Sequence, residues 1–127
     1  VQLTMVQRFK PDGVVIVCTP QDLALIDATR AIQLFEQAEA PIIGLVENMA
    51  GYVCPHCGEA SDPFGHGGAE TAARARGIAF LGRIPLDLAI RVASDAGEPP
   101  AAGDGPQAEA FAAIARRVAT WMDNRNR

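Results

Sequence analysis

Lysine is nearly absent from this sequence, since ten of the 11 basic residues are arginine and Lys10 is the only lysine. A Walker A loop, which binds nucleotide phosphates, ends in Gly-Lys-Ser/Thr, and Lys10 is followed by Pro11. The glycines around His66 precede no such tripeptide either. The absence of this tripeptide excludes a Walker A loop from these 127 residues.

Excess positive charge, long apolar runs and a disulfide pattern are also missing. The formal net charge is −4 and the pI is near 5.0, so we expect no nucleic-acid partner. No apolar run approaches the roughly 20 residues that cross a bilayer, and no basic run indicates a membrane surface. Three cysteines, two of them closely spaced, do not make a disulfide framework. These absences predict a protein of the reducing cytoplasm without a membrane partner.

Apolar periodicity and turn residues predict a single α/β domain, and 49% hydrophobic residues suffice for its core. Continuous apolar runs predict strands at residues 14–18, 42–46 and 78–82. Helical spacing predicts helices at residues 1–10, 20–39, 69–76, 85–96 and 107–122. Thr19 is the expected N-cap of the second helix, Pro85 is the expected start of the fourth, and the tail from Asp123 is expected to fray.

The most informative stretch is V-C-P-H-C-G, in which Cys54 and Cys57 are separated by two residues. This spacing can present two thiolates to one metal ion or cluster, which is half of a four-ligand zinc or iron–sulfur site. Cys18 lies in an apolar run and is expected to be buried. The other ligands could be His56, His66 or a carboxylate, or the cysteine pair of a second copy across a two-fold axis. A redox dithiol and a loop with unremarkable thiols are open alternatives.

Strands that alternate with helices predict a parallel sheet with helices on both faces. In such sheets ligands bind beyond the carboxyl ends of the strands, here at Thr19, at Glu47-Asn48 and at residues 83–87. The long loop at residues 50–68 leaves the same edge, and its length favours a functional role. The strand, glycine-rich loop and helix that open a nucleotide-binding sheet are absent. We therefore expect the second half of a nucleotide-binding fold.

Four segments carry a family resemblance: VIVCTPQDLALIDATRAI, GLVENMAGYVCPHCGE, DPFGHGGAE and FLGRIPLDLAIRVASDAGEP. Together, in this order and spacing, they resemble the Mrp/ApbC family of P-loop ATPases that carry iron–sulfur clusters, relatives of MinD and the nitrogenase iron protein. The resemblance covers roughly residues 1 to 100. It implies the C-terminal part of a P-loop NTPase-type domain, whose Walker A loop, signature lysine and Mg²⁺-binding aspartates would lie upstream of the first residue.

The resemblance also implies roles for five residues. Cys54 and Cys57 match the pair that binds a cluster, of the 4Fe-4S type, between two subunits. Asn48 matches the asparagine that contacts the adenine of ATP, where an amide offers both a donor and an acceptor. Pro85 and Asp87 match the segment that closes over adenine, although their local sequence equally fits a helix start with a first-turn carboxylate.

Three functions are open for the intact protein. The leading one is an ATP-dependent iron–sulfur cluster carrier, a homodimer that uses Mg²⁺-ATP and serves recipient apoproteins; this chain alone is expected to be inactive as an ATPase. The second is a binding module stabilised by zinc at the CPHC loop. The third is a thiol oxidoreductase in which His56 lowers a cysteine pKa.

His66 is expected near a helix start, where it could hold an anion, ligate metal or order the loop.

Overall fold

The computed structural model describes residues 2–125, apart from the side chains of residues 2, 3, 22 and 23. Val1, which belongs to the predicted first helix, lies outside this range. The elements in chain order are α1 Gln2–Phe9, β1 Val14–Cys18, α2 Asp22–Gln37, β2 Ile42–Glu47, β3 Tyr52–Val53, β4 Ala60–Ser61, α3 Gly68–Ala75, β5 Phe80–Arg83, α4 Leu88–Asp95, a 3-10 turn at Pro100–Ala102 and α5 Pro106–Arg125.

Three strands form a parallel sheet in the order β1-β2-β5, with β2 in the centre. At the carboxyl end of the sheet, Glu47 pairs with Cys18 on one side and with Arg83 on the other. The β3 and β4 strands form a separate two-residue antiparallel hairpin inside the long loop. The predicted parallel α/β fold is therefore confirmed, and the hairpin is an addition that the sequence analysis treated as loop.

The core lies on both faces of the sheet. On one face α2 and α3 pack against β1 and β2 through residues such as Ile32 and Leu45, which are almost completely buried. On the other face α5 covers β2 and β5 through Phe111, Ile114, Val118 and Trp121. In β1 this cluster includes Val15 but not Val17, which points to the same face and is 59% exposed.

The second helix starts later than predicted, because its expected N-cap does not cap. Gln21, not Thr19, precedes α2 and has extended backbone angles, with no capping hydrogen bond from its side chain. The Thr19 hydroxyl instead donates to the Gln21 side-chain oxygen at 3.1 Å. The chain bends at residues 20 and 21 before α2 begins at Asp22.

The fourth helix also starts later, at Leu88 rather than at Pro85. The Leu86 N–H donates to the Gly51 carbonyl at 2.9 Å, so residues 85 and 86 stay extended beside the start of the long loop. Asp87 is the N-cap, and its side chain accepts a hydrogen bond from the Ala89 N–H at 2.8 Å. A tertiary contact thus moves the helix start by three residues.

The last helix extends past its predicted end at Met122 and runs to Arg125. The tail expected to fray is therefore helical from Asp123 to Arg125, and residues 126 and 127 lie outside the described range. The Arg125 guanidinium stacks 5.3 Å from the Trp121 ring centre, and its charge complements the negative end of the helix dipole. Between residues 2 and 125, every helix is too short or too polar to cross a membrane.

Candidate functional site

The cysteine pair lies in a tight turn at the tip of the β3–β4 hairpin. The Gly58 N–H donates to the Cys54 carbonyl at 2.8 Å, and the Cys54 N–H donates to the Glu59 carbonyl at 3.0 Å. Gly58 has a φ of 72°, a left-handed conformation that a residue with a side chain adopts at a cost. The turn thus folds Cys57 back toward Cys54.

Backbone donors surround the Cys54 sulfur. The N–H groups of Cys57 and His56 donate toward it, the Cys57 thiol contributes a further hydrogen bond, and together they lower the pKa of the Cys54 thiol below its ordinary value. Cys54 is partly exposed and Cys57 is exposed, and neither is in a disulfide. Because the thiolate is the form that binds metals and clusters, this turn favours binding at Cys54.

The described residues bring only two ligands together at this turn. Among the side chains that the structure describes, those of histidine, cysteine, aspartate and glutamate form no group of three or more that could hold a metal ion. His56, His66 and a nearby carboxylate are thus not gathered with Cys54 and Cys57 into a closed site. Two thiols within one chain make half of a four-ligand site.

Cys18 is in a different environment, as the sequence predicted. It is 6% exposed at the end of β1, in the core between the sheet and the helices α2 and α3. Burial, together with the nearby Glu47 carboxylate, raises the pKa of the Cys18 thiol to about 11. A protonated, enclosed thiol is a poor metal ligand, so Cys18 serves packing.

Asn48 follows β2 directly at the carboxyl edge of the sheet. Its backbone N–H donates to the Cys18 carbonyl at 2.7 Å, which extends the pairing of β2 with β1 by one residue. Its side-chain oxygen accepts from the Met49 N–H at 2.9 Å. Met49 has a φ of 56°, an uncommon conformation for a residue other than glycine. The backbone turns sharply here and leads into the long loop.

Pro85 and Asp87 follow the neighbouring strand β5. One Asp87 oxygen caps α4, and the other accepts from the Gln107 side-chain amide at 2.8 Å, so the carboxylate joins α4 to α5. This arrangement matches the helix-start interpretation of Asp87. Pro85 and Asp87 also line a cleft of about 710 Å³ together with Val53 and Pro55 of the cysteine hairpin. Asn48 is not among the residues that line it.

Glu47 and residues 83–87 were expected at this edge of the sheet, but the ion pairs that join Glu47, Arg83 and Glu70 were not predicted from the sequence. Glu47 is buried at the end of β2, its Oε2 accepts from the Ala69 N–H at 3.1 Å, and its Oε1 lies 3.3 Å from Arg83 Nε. Arg83 also pairs with Glu70. The sequence feature that could have indicated these ion pairs is the carboxylate of Glu47 at the end of an otherwise apolar strand, because a buried charge requires a partner.

The start of α3 is consequently not a free anion site. Ala69 in its first turn already donates to Glu47, which takes up one of the exposed backbone donors. His66 is exposed, and its Nδ1 lies 3.6 Å from an Asp62 carboxylate oxygen four residues earlier. This position agrees with a role for His66 in ordering the loop, and a metal role stays a prediction.

The chain is similar to known proteins over nearly its full length. Residues 1–119 match the family model described as ParA, NUBPL iron-transfer P-loop NTPase. An iron–sulfur cluster carrier protein of Pyrococcus abyssi is 47% identical over 117 residues, which are 91% of this chain and 40% of the relative. The iron–sulfur cluster transfer protein NUBPL of Dictyostelium discoideum is 47% identical over 95% of this chain and 38% of its own length. The chain spans about two fifths of these relatives.

Solved structures share the fold. A nucleotide-binding protein from Archaeoglobus fulgidus, in complex with ADP, superposes with a TM-score of 0.65 at 44% identity, over 75% of this chain and 39% of that one. The cell-division ATPase MinD of Pyrococcus furiosus gives a TM-score of 0.68 at 23% identity over 87% and 43% of the two chains, a likeness of fold alone. With the family match over residues 1–119, these similarities show that the chain belongs to the NUBPL iron-transfer group of P-loop NTPases.

Proposed function

We propose that this chain carries the cluster-binding half-site of an iron–sulfur cluster carrier. The observation that carries the proposal is the turn at the hairpin tip, where backbone hydrogen bonds from Gly58 to Cys54 and from Cys54 to Glu59 bring the free thiols of Cys54 and Cys57 together. The cargo is an iron–sulfur cluster of the 4Fe-4S type, delivered to recipient apoproteins. The names of the relatives, as cluster carrier and cluster transfer proteins, support the same cargo.

Two copies of the chain share one cluster in this proposal. A cuboidal cluster takes about four thiolates, and each chain offers two at the hairpin tip. Cys18 is enclosed in the core, and no third ligand joins the pair among the described residues. A symmetric dimer doubles the pair to four without further ligands. A zinc site closed within one chain would need two more ligands, so the structure gives that alternative less support.

ATP is the proposed second ligand of the intact protein. Asn48, Pro85 and Asp87 would contribute contacts to its adenine base from the ends of two neighbouring strands, and the Archaeoglobus relative is a complex with ADP. The cleft beside Pro85 and Asp87 also touches the cysteine hairpin, so a change at one site can reach the other. The phosphates and Mg²⁺ would be held by residues other than these 127. Bound ATP would favour one arrangement of the two subunits, and ATP hydrolysis would end that preference.

The chain would then be one part of a larger nucleotide-binding domain. Val17 lies on a sheet face that α5 covers elsewhere, and it is 59% exposed although it is an apolar strand residue. A further helix or strand beside β1 would bury it. Location in the cytoplasm stays a prediction from the cysteine content.

Anaerobic reconstitution of the chain with iron and sulfide tests the proposal. We expect a brown protein with visible charge-transfer absorption, a dimer mass, and one cluster per two chains by iron and sulfide analysis. A colourless protein that binds only zinc would refute the cluster, and a full cluster on a monomer would refute sharing. Metal analysis and sedimentation on the same sample separate these outcomes.

Nucleotide binding is tested by titration calorimetry on the same chain. Base contacts from three residues do not offset the several kcal/mol that immobilising a ligand costs. We therefore expect no ATP hydrolysis and no micromolar affinity for ATP. Micromolar binding by these 127 residues would show that the phosphate contacts lie within them.

A further inference from the structure

Glu47 is the only buried charged side chain among those the structure describes. It is 1% exposed and ends β2, the central strand of the parallel sheet, after a run of apolar residues. Its neighbours across the sheet are Cys18 and Arg83. Neither candidate site described above includes it as a ligand.

The Glu47 carboxylate caps a helix that lies 22 residues further along the chain. Gly67 precedes α3 with a φ of 73° and has no side chain to cap the helix. Glu47 Oε2 supplies the missing acceptor to the Ala69 N–H at 3.1 Å, while Oε1 forms an ion pair with Arg83 at 3.3 Å. Arg83 in turn binds Glu70 in the first turn of α3.

Stability alone does not account for a carboxylate at this position. The desolvation of a buried ion pair costs about as much as the pair gains, and apolar residues of similar volume are often equally stabilising. A local side-chain cap is not available at position 67, because a Ser or Asp there would be strained at the φ of 73°. What Glu47 adds is a fixed distance between the end of β2 and the start of α3.

That distance determines where the cysteine loop closes. The loop opens at Ala50, whose N–H donates to the Ile84 carbonyl at 3.0 Å, and at Gly51, whose carbonyl accepts from Leu86. It closes at α3, where the Glu47 side chain holds Ala69. Both ends of the loop are thus fixed to the same sheet edge, one by backbone bonds and the other by the Glu47 carboxylate together with the burial of Ala69 in the core.

We propose that Glu47 is a positioning residue for the cysteine loop. It holds the closing end of residues 50–68 against the strand end that bears Asn48, and so limits the arrangements that Cys54 and Cys57 sample. The effect on cluster retention rests on the proposed function, whereas the effect on loop order does not. Without the Glu47 carboxylate the first turn of α3 loosens, and the hairpin loosens with it.

Hydrogen exchange of the 127-residue chain without cluster tests loop order. In Glu47→Leu we expect the amides of Ala69, Cys54 and Gly58 to exchange at least about tenfold faster, because opening becomes easier. Glu47→Gln, which keeps an acceptor for Ala69 but loses the charge opposite Arg83, should be intermediate. Glu109→Gln, in an exposed ion pair with Arg116, is the matched control and should exchange like the unchanged chain.

Three exchange results would overturn the proposal. The first is faster exchange at Ala69 alone, with Cys54 and Gly58 unchanged, which would make Glu47 a cap only. The second is equally accelerated exchange at every amide, including those of β1 and β2, which would make it a general stability residue. The third is unchanged exchange in both variants. Should Glu47→Leu fail to fold, Glu47→Gln decides by the same three criteria.

Cluster retention gives the functional readout. On reconstituted protein we expect Glu47→Gln to lose its cluster to a chelator several-fold faster and to alter the visible circular dichroism, while Glu109→Gln matches the unchanged chain. Equal loss rates and spectra in all three would overturn the effect on the cluster. If the unchanged chain binds no cluster, the proposed function fails, and the exchange data still decide whether Glu47 positions the loop.

Discussion

Cys18 and Cys54 carry the same thiol side chain but lie in contrasting environments, one in the core and the other at a hairpin tip. Cys18 is enclosed in the core at the end of β1, where burial raises its pKa to about 11. Cys54 is at a hairpin tip, where N–H groups of Cys57 and His56 lower its pKa. The comparison teaches that burial and local backbone donors, rather than the residue type, decide which cysteine can act as a ligand.

Substitution of the hairpin cysteines should have the largest effect. Cys54→Ser or Cys57→Ser removes one of two thiolates per chain, so a shared cluster would lose two of its four ligands. We expect no visible absorption and no iron retained after reconstitution of either variant. Cys18→Ala is the control and should take up iron and sulfide like the unchanged chain. A cluster retained by the double serine variant would place the ligands elsewhere.

Alkylation of the folded chain without cluster should separate the two regions by rate. A rise from the ordinary pKa of 9.0 to about 11 lowers the thiolate fraction of Cys18 about 100-fold near neutral pH. We expect Cys54 to react with iodoacetamide at pH 7.5 at least about 100-fold faster than Cys18, measured by peptide mass spectrometry. In urea the two rates should converge. Similar rates in the folded chain would contradict the assigned environments.

The raised pKa of Cys18 also predicts a loss of stability at alkaline pH. Below pH 9 the thiol is protonated in both the folded and the unfolded chain, so it contributes no pH dependence. Between pH 9 and about 11 the unfolded thiol ionises while the folded thiol keeps its proton, and stability falls. The expected fall is about 2 kcal/mol by urea unfolding.

Cys18→Ala isolates that effect. This variant should lose about 1 kcal/mol at pH 7 from reduced packing, and it should lack the Cys18 part of the alkaline decline. The advantage of the unchanged chain in unfolding free energy should therefore fall by about 2 kcal/mol as the pH rises from 9 to 11, so that Cys18→Ala becomes the more stable chain near pH 11. A difference that is constant over this range would show that the Cys18 thiol ionises as readily in the folded chain as in the unfolded one.

The smallest effect is expected for Gly58→Ala, which tests the turn without touching a cysteine. An alanine at a φ of 72° costs about 1 kcal/mol, although the space around it is open. Gly77→Ala is the matched control, with a φ of 68° and equally open space after α3. Both should lower the melting midpoint by similar small amounts. Only Gly58→Ala should speed cluster loss, and equal loss in both would contradict a specific role of the turn.

Much of the fold was predictable because its signals are local. Continuous apolar runs gave β1 with its observed bounds at residues 14–18 and β2 to within one residue. Turn residues and helical spacing located all five helices. The errors lie at the helix starts near Thr19 and Pro85. Thr19 does not cap α2, and near Pro85 a hydrogen bond from Leu86 to the Gly51 carbonyl overrides local preference.

The sequence alone determined the CPHC spacing, the missing Walker A tripeptide, the order of strands and helices and the burial of Cys18. These features depend on which residues are close together in the chain. Only the tertiary structure decided that Glu47 caps α3 across 22 residues, that Asp87 joins two helices, and that the hairpin and Pro85 share a cleft. Such contacts join distant residues, and the packing of the sheet determines which of those residues meet.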